Sequence, residues 1–257
     1  MCSLAVSNLH SLVSNAVVDP LLWPQLPQAN LFLPTYDVGG TECMVVTRAD
    51  ALCWVVYCHG NAVTLTELHD SGIPNAIVDA CKCNFIAPRY PAKAASGAAY
   101  DKAVVEAAQR TYEQLCLDTS SPVYMVGRSI GVGIALQACA NRPPAGVVLI
   151  SGFSSVKALA PWGLQWLVPA RLDNVAAIKA LKGVPKLILH GEMDELVPPA
   201  NAHLLAGACD CGSLCIIPHM THVPTPYDVN LICREMVKMV ERQRKPVTGR
   251  HYLLWKT

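Results

Sequence analysis

The sequence predicts an α/β protein, built on a mostly parallel sheet of about eight strands with helices on both faces. Two observations carry this. Short apolar runs of strand length alternate with segments of helical spacing along most of the 257 residues. Three strand-like runs come first with no helix between them, and strand–helix units repeat thereafter. Leu31–Asp37, Glu42–Thr47 and Leu52–Cys58 read as the leading strands, the first two joined as a hairpin by the turn signal Gly39-Gly40. Phe85–Ala87, Val123–Val126, Val147–Ile150, Lys186–Leu189 and Leu214–Ile217 then read as short buried strands. Segments 64–81, 100–117, 130–141, 200–208 and 227–243 carry helical spacing. The segment 152–184 has helix-like spacing in part and reads as an insertion that flanks a pocket, too short for a lid domain. One domain is expected over residues 1–257, with its core at about 31–243. Right-handed crossovers would bring the loops after the parallel strands to one edge, where such sheets bind ligands.

Composition narrows the function. Hydrophobic residues make up 52% and charged residues 15%, which supports a sizeable core and argues against disorder. Lys and Arg number 20 against 19 Asp and Glu, so nothing points to nucleic acid as a partner. No Lys or Arg precedes Arg48, whereas 234–256 holds seven basic residues against Glu235 and Glu241. That stretch reads as a solvated helix face, with weak contact to an anionic membrane surface as the alternative. No apolar run approaches the ~20 residues that span a bilayer, and the amino-terminal stretch lacks a basic signal region, so a cytoplasmic protein is expected. The twelve cysteines are scattered, many within apolar runs, as small buried hydrophobes are in a reducing cytosol. Cys81 with Cys83, and Cys209 with Cys211 and Cys215, lack the two-residue spacing of zinc knuckles, and no metal site is expected.

The strand VYMVG runs directly into Gly127-Arg128-Ser129-Ile130-Gly131 and then a helical segment. This is G-x-S-x-G in the strand–turn–helix setting that gives the pattern meaning. A nucleophilic serine needs a sharp turn to project its oxygen, and glycines two positions to either side leave room for the close approach of strand and helix. The helix that starts here offers free backbone N–H groups, so the Ile130 N–H is a candidate oxyanion donor.

A serine hydroxyl needs a base, and the base an orienting acid. The strand KLILH is followed by Gly191-Glu192-Met193-Asp194-Glu195, and the last strand by His219-Met220-Thr221-His222. Each partner falls after a strand, in the order serine, acid, histidine. His222 lies out on its loop and is preferred as base over His219, a capping or packing histidine. Asp194 is preferred as acid over Glu192 and Glu195, which read as solvated loop charges. The strand WVVYC ends in His59-Gly60-Asn61-Ala62, where the Asn61 or Ala62 N–H could join that of Ile130. Gly60 is read as permitting close approach, and His59 as a structural loop residue.

The motifs CHGNAV, GRSIGVG, LILHGEMDELVP and THVP together resemble the α/β-hydrolase superfamily over about residues 51–243. Within it, HGNA and G-x-SIG are most similar to the acyl-protein thioesterase branch that includes the α/β-hydrolase-domain depalmitoylases. The resemblance implies Ser129, Asp194 and His222 as triad, Asn61, Ala62 and Ile130 as oxyanion region, and no cofactor. The family's aspartate–tyrosine, glycine-rich loop is here Ala87-Pro88-Arg89-Tyr90-Pro91, a departure beside the expected site. Depalmitoylases of this branch carry an acylated amino-terminal cysteine cluster; Cys2 stands alone here and reads as an unmodified thiol. Arg89, Tyr90, Trp162, Trp166 and Leu167 are candidates for the substrate pocket.

The expected activity is therefore cleavage of an acyl ester or thioester, from a small substrate or an acylated protein. A serine peptidase of the prolyl-oligopeptidase type uses the same triad order, and a catalytically silent binding module is a further alternative.

Overall fold

Burial alternates from one sheet face to the other along the central strands. In β3 (Cys53–Cys58), Val56 and Cys58 pack into one core cluster and Val55 and Tyr57 into another. In β5 (Val123–Arg128), Met125 faces the first cluster and Tyr124 and Val126 the second. In β6 (Gly146–Ile150), Val147 and Leu149 divide from Val148 and Ile150 in the same way. Such strands require an apolar layer on each side, which explains their near-continuous hydrophobic sequence.

The computed structural model describes residues 34–91, 98–159, 168, 171–210 and 212–244. Its sheet has eight strands in the order β1-β2-β4-β3-β5-β6-β7-β8. The others are β1 (Thr35–Asp37), β2 (Glu42–Val46), β4 (Cys83–Pro88), β7 (Lys186–Gly191) and β8 (Gly212–Ile217). Every pairing from β4 to β8 is parallel, while β2 runs antiparallel to both β1 and β4. The helices are α1 (Leu65–Asp70), α2 (Ile73–Cys81), α3 (Ala98–Asp118), α4 (Gly131–Ala138), α5 (Asn174–Ala180), α6 (Ala200–Gly207) and α7 (Pro226–Arg244). One face is covered by α3 and α4, through Val104, Ala108, Tyr112, Val132, Ile134 and Leu136. The opposite face is covered by α1, α2 and α7, through Leu65, Leu68, Ile77, Val229, Ile232 and Met236. Among the described residues no helix is long and apolar enough to cross a membrane, and ten cysteines are free thiols.

The expected α/β architecture is present, with local corrections. The strand read at Leu31–Asp37 is observed as Thr35–Asp37, its first residues lying outside the described ones. The hairpin read between the first two strands is present as the β1–β2 pairing; β2 also pairs with β4, while β3 lies between β4 and β5. The segment 64–81 forms two helices. Gly72 adopts φ +72° between them, and Pro74 in the first turn of α2 lacks the N–H that a continuous helix would need. Helix α5 lies inside the 152–184 insertion, its start capped by the Asp173 carboxylate accepting from the Ala176 N–H at 2.9 Å. A bidentate ion pair from Arg171 to Asp101, at 2.6 and 2.7 Å, ties the start of this element to α3.

Close backbone approach shapes the sheet edge that follows β3 and β5. A Cβ added at Gly131 would stand 2.0 Å from the Cys58 carbonyl oxygen, and one at Gly127 would stand 2.4 Å from the Gly131 carbonyl oxygen. No side chain fits either gap. Gly131→Ala is expected to cost about 3 kcal/mol in urea unfolding, the upper end of the usual overpacking cost, or to prevent folding. Gly207→Ala, where an added Cβ meets nothing within 4 Å, is expected to be neutral or to stabilise by up to about 1 kcal/mol.

Candidate active site

Four residues other than glycine with left-handed φ lie just beyond the carboxyl ends of strands: Ala62 (56°) after β3, Ser129 (55°) after β5, Ser151 (50°) after β6 and His219 (62°) after β8. Such conformations cost about 1–3 kcal/mol each and persist only where surroundings impose them. At Ser129 the imposed contacts are visible. Its N–H donates to the Ile150 carbonyl at 2.8 Å, its carbonyl accepts from the Val132 N–H at 3.0 Å, and α4 begins immediately after Ile130. The turn thus lifts the Ser129 side chain out of the strand, while Gly127 and Gly131 let the strand fold back on the helix.

Ser129 Oγ lies 3.0 Å from His222 Nε2, and His222 Nδ1 lies 2.8 Å from Asp194 Oδ2. Serine, histidine and aspartate come from loops after β5, β8 and β7, and the structure brings all three together. An ionised carboxylate only accepts hydrogen bonds, so the ring proton sits on Nδ1 and leaves Nε2 to accept from the serine hydroxyl. His219 is exposed, as are Glu192 and Glu195; the chain of contacts runs through His222 and Asp194 instead.

The acid and base loops are stitched to each other. The Met193 N–H donates to the Met220 carbonyl at 3.0 Å, and the Glu192 N–H to the Ile217 carbonyl at 3.0 Å. Gly191 permits this: a Cβ there would stand 2.2 Å from the Met220 carbonyl oxygen. Downstream, Thr225 and Asp228 cap the start of α7 reciprocally, with the Thr225 N–H and hydroxyl donating to Asp228 at 2.8 and 2.7 Å and the Asp228 N–H returning to Thr225 Oγ1. That fixes the chain three residues beyond the histidine.

Asp194 is buried and saturated with donors. Oδ1 accepts from the Leu196 and Val197 N–H groups at 3.1 and 2.8 Å. Oδ2 accepts from His222 and faces His190 Nε2 at 3.4 Å. His190 is fully buried, and the same Nε2 donates to the Val197 carbonyl at 2.7 Å. Burial alone would push the Asp194 pKa up, but hydrogen bonds from His190, His222 and the Val197 N–H outweigh it and hold the carboxyl well below the usual range.

Gly60, Asn61 and Ala62 follow β3 beside this constellation. A Cβ at Gly60 would stand 3.7 Å from the Ser129 Cβ, an ordinary contact, so Gly60 is not there for want of space, contrary to the sequence expectation. It does place the loop within van der Waals reach of the serine. His59 is structural, as expected: it is buried, its Nδ1 bonds the Gly60 carbonyl at 3.1 Å, and burial lowers its pKa to about 4. Tyr90 supports the same loop, stacking on the His59 ring at 3.9 Å and donating its hydroxyl to the His59 carbonyl at 3.0 Å. Arg89 departs from its expected place in the pocket. Its guanidinium pairs with Glu42 of β2 at 2.7 Å, because the antiparallel β2–β4 pairing sets the two side by side. Trp162, Trp166 and Leu167 lie outside the described residues, as do Cys2, Cys211 and the basic tail beyond 244. Among the described residues no cluster of His, Cys, Asp or Glu is arranged to hold a metal ion.

No family model matches the chain. Two uncharacterized proteins of Mycobacterium tuberculosis, from strains CDC 1551 and H37Rv, are each 31% identical to it over 101 residues. The match covers 37% of this chain and 36% of theirs, so the chain spans about a third of the length of these curated relatives. Solved structures extend further. TT1662 from Thermus thermophilus superposes with a TM-score of 0.65 at 15% identity, over 83% of this chain and 98% of its own. A hormone-sensitive lipase from a metagenome library gives 0.64 at 18% identity, over 92% and 97%. An esterase/lipase from an uncultured bacterium gives 0.63 at 17% identity, over 94% and 97%. Together with the strand order, these likenesses show that the chain has the α/β-hydrolase fold.

The depressed Asp194 pKa makes the folded state bind fewer protons than the unfolded chain in mildly acidic solution. Its contribution to stability is therefore present above the ordinary aspartate pKa of about 4 and is lost as pH falls below it. Urea unfolding between neutral pH and pH about 3 is expected to show a steeper acid-side loss for the wild-type chain than for Asp194→Asn.

Proposed function

We propose that this chain is a serine hydrolase that cleaves acyl esters or thioesters through Ser129, His222 and Asp194. The reading is carried by one observation, the continuous hydrogen-bond chain from the strained serine through the imidazole to the buried carboxylate. Ser129 Oγ attacks the acyl carbonyl and its proton passes to His222 Nε2. Asp194 holds the Nδ1–H tautomer and stabilises the imidazolium. The developing oxyanion is held by the Ile130 N–H at the start of α4 with the Asn61 or Ala62 N–H, worth about 3–4 kcal/mol for a single donor in comparable sites. The tetrahedral intermediate expels an alcohol or thiol, which leaves with the proton from His222. Water, deprotonated by the same histidine, then releases the acid and restores Ser129. These steps need no metal or organic cofactor.

The acyl substrate is the finer part of the proposal. It is supported by the HGNA and G-x-SIG wording and by the esterases and lipases among structures of the same fold. On this reading the substrate is a small acyl ester or an acylated protein, met in the cytoplasm or at a membrane surface. Steady-state hydrolysis of aryl esters and acyl thioesters of graded chain length tests it. Ser129→Ala and His222→Ala are each expected to lower kcat/KM by at least about 10³-fold with the fold intact by circular dichroism. Undiminished turnover in Ser129→Ala, or turnover confined to peptidyl amides, would reverse the assignment.

A further inference from the structure

Arg128 ends β5 between Gly127 and Ser129, and its guanidinium is the unneutralised charge of the region. Arg48, Arg89, Arg171 and Arg234 each face a carboxylate within 4 Å. Arg110, Arg142 and Arg242 face none but are exposed to water. Arg128 is half-buried and has no acidic partner at that distance. Its Nη2 donates to the His222 carbonyl at 3.2 Å, its Nε is buried without a hydrogen-bond partner, and its Nη1 has no acceptor among the described residues.

The same side chain lines a groove of about 510 Å³. The groove reaches the candidate site at three places: at Ala62 itself, at Arg128 beside Ser129 and at Val223 beside His222. Its walls are otherwise largely apolar, with Ile73 and Val229 among them. Glu67 stands on the groove but is exposed, and its carboxylate is engaged by the Thr64 N–H and hydroxyl at 2.8 and 2.9 Å. It makes no ion pair with Arg128. A cation held against apolar walls without a counter-charge is costly, and a guanidinium with free donors matches planar or tetrahedral oxyanions.

We propose that this groove binds an anionic group, a carboxylate or phosphate, on the substrate presented to Ser129, with Arg128 as the residue that selects it. The identity of the bound molecule as a substrate rests on the hydrolase reading; the anion binding does not.

Ser129→Ala protein, which cannot turn over, allows direct titration by calorimetry. Two pairs of probes separate the sources of charge. Monomethyl against dimethyl suberate places the anion on the acyl side, and the octanoate ester of 3-hydroxypropyl phosphate against propyl octanoate places it on the alcohol side. At least one anionic probe is expected to bind about 10-fold tighter than its neutral counterpart. Adding Arg128→Gln should remove that preference, and Arg128→Lys should keep most of it. The Arg128 Nε–H resonance, followed by NMR in the Ser129→Ala protein, should move with the anionic probe and stay with the neutral one, a readout that needs no substitution at 128. Equal binding within both pairs, a preference that survives Arg128→Gln, or an unmoved resonance overturns the inference. Loss of Ser129-dependent turnover in the wild-type chain would defeat the hydrolase reading and leave these binding results standing.

Discussion

Where β5 turns into α4, the backbone at Gly131 presses against the Cys58 carbonyl of β3, closely enough that even a methyl group would stand 2.0 Å from the oxygen. Two neighbouring parallel strands and the helix that follows the second can meet this way only through glycine. Beside this contact Ser129 takes a left-handed turn, held by its hydrogen bonds to Ile150 and Val132, and that turn brings its hydroxyl to His222. Once the serine is placed, the loops after β3, β7 and β8 are the surfaces it can meet. Strain at Ala62, Ser151 and His219 marks the same edge, as expected where local conformation is overruled by the packing of a rigid sheet.

Electrostatics then organises the second half of the site. Asp194 is buried, and an isolated buried carboxylate would be prohibitively costly. Backbone donors from Leu196 and Val197 and imidazole donors from His222 and His190 compensate it. His190 does so from the strand itself, bonding at once to the Val197 carbonyl and facing the carboxylate. It thereby ties the acid to the end of β7. The base is held from the other side, since Arg128 donates to the His222 carbonyl from the residue next to the serine.

What could be read in the sequence was whatever is local. G-x-S-x-G announces itself because the glycines serve a turn five residues long. His222 was separable from His219 because distance along a loop decides which histidine can lean back over the sheet. The acid could be placed because strand ends are visible as the ends of apolar runs. Gly191, His190 and Arg128 were not singled out, because each works on a partner its own sequence neighbourhood does not reveal. Gly191 makes room for Met220, and Arg128 reaches a carbonyl 94 residues away. His190 stood four residues before Asp194, a spacing that could have flagged it. Arg89 was misplaced because the sheet order, not proximity in the chain, decides which strand lies beside it: β4 pairs with β2 and so brings Arg89 to Glu42.

The central claim is that Ser129 is made nucleophilic by His222 and Asp194 acting as one unit. Peptide mapping by mass spectrometry after reaction with a fluorophosphonate reads this directly, since the reagent bonds covalently only to an activated hydroxyl. The account predicts a single adduct on Ser129 that is largely lost in folded His222→Ala protein. An unlabelled Ser129 in well-folded wild-type chain, or labelling that persists undiminished without His222, would contradict it.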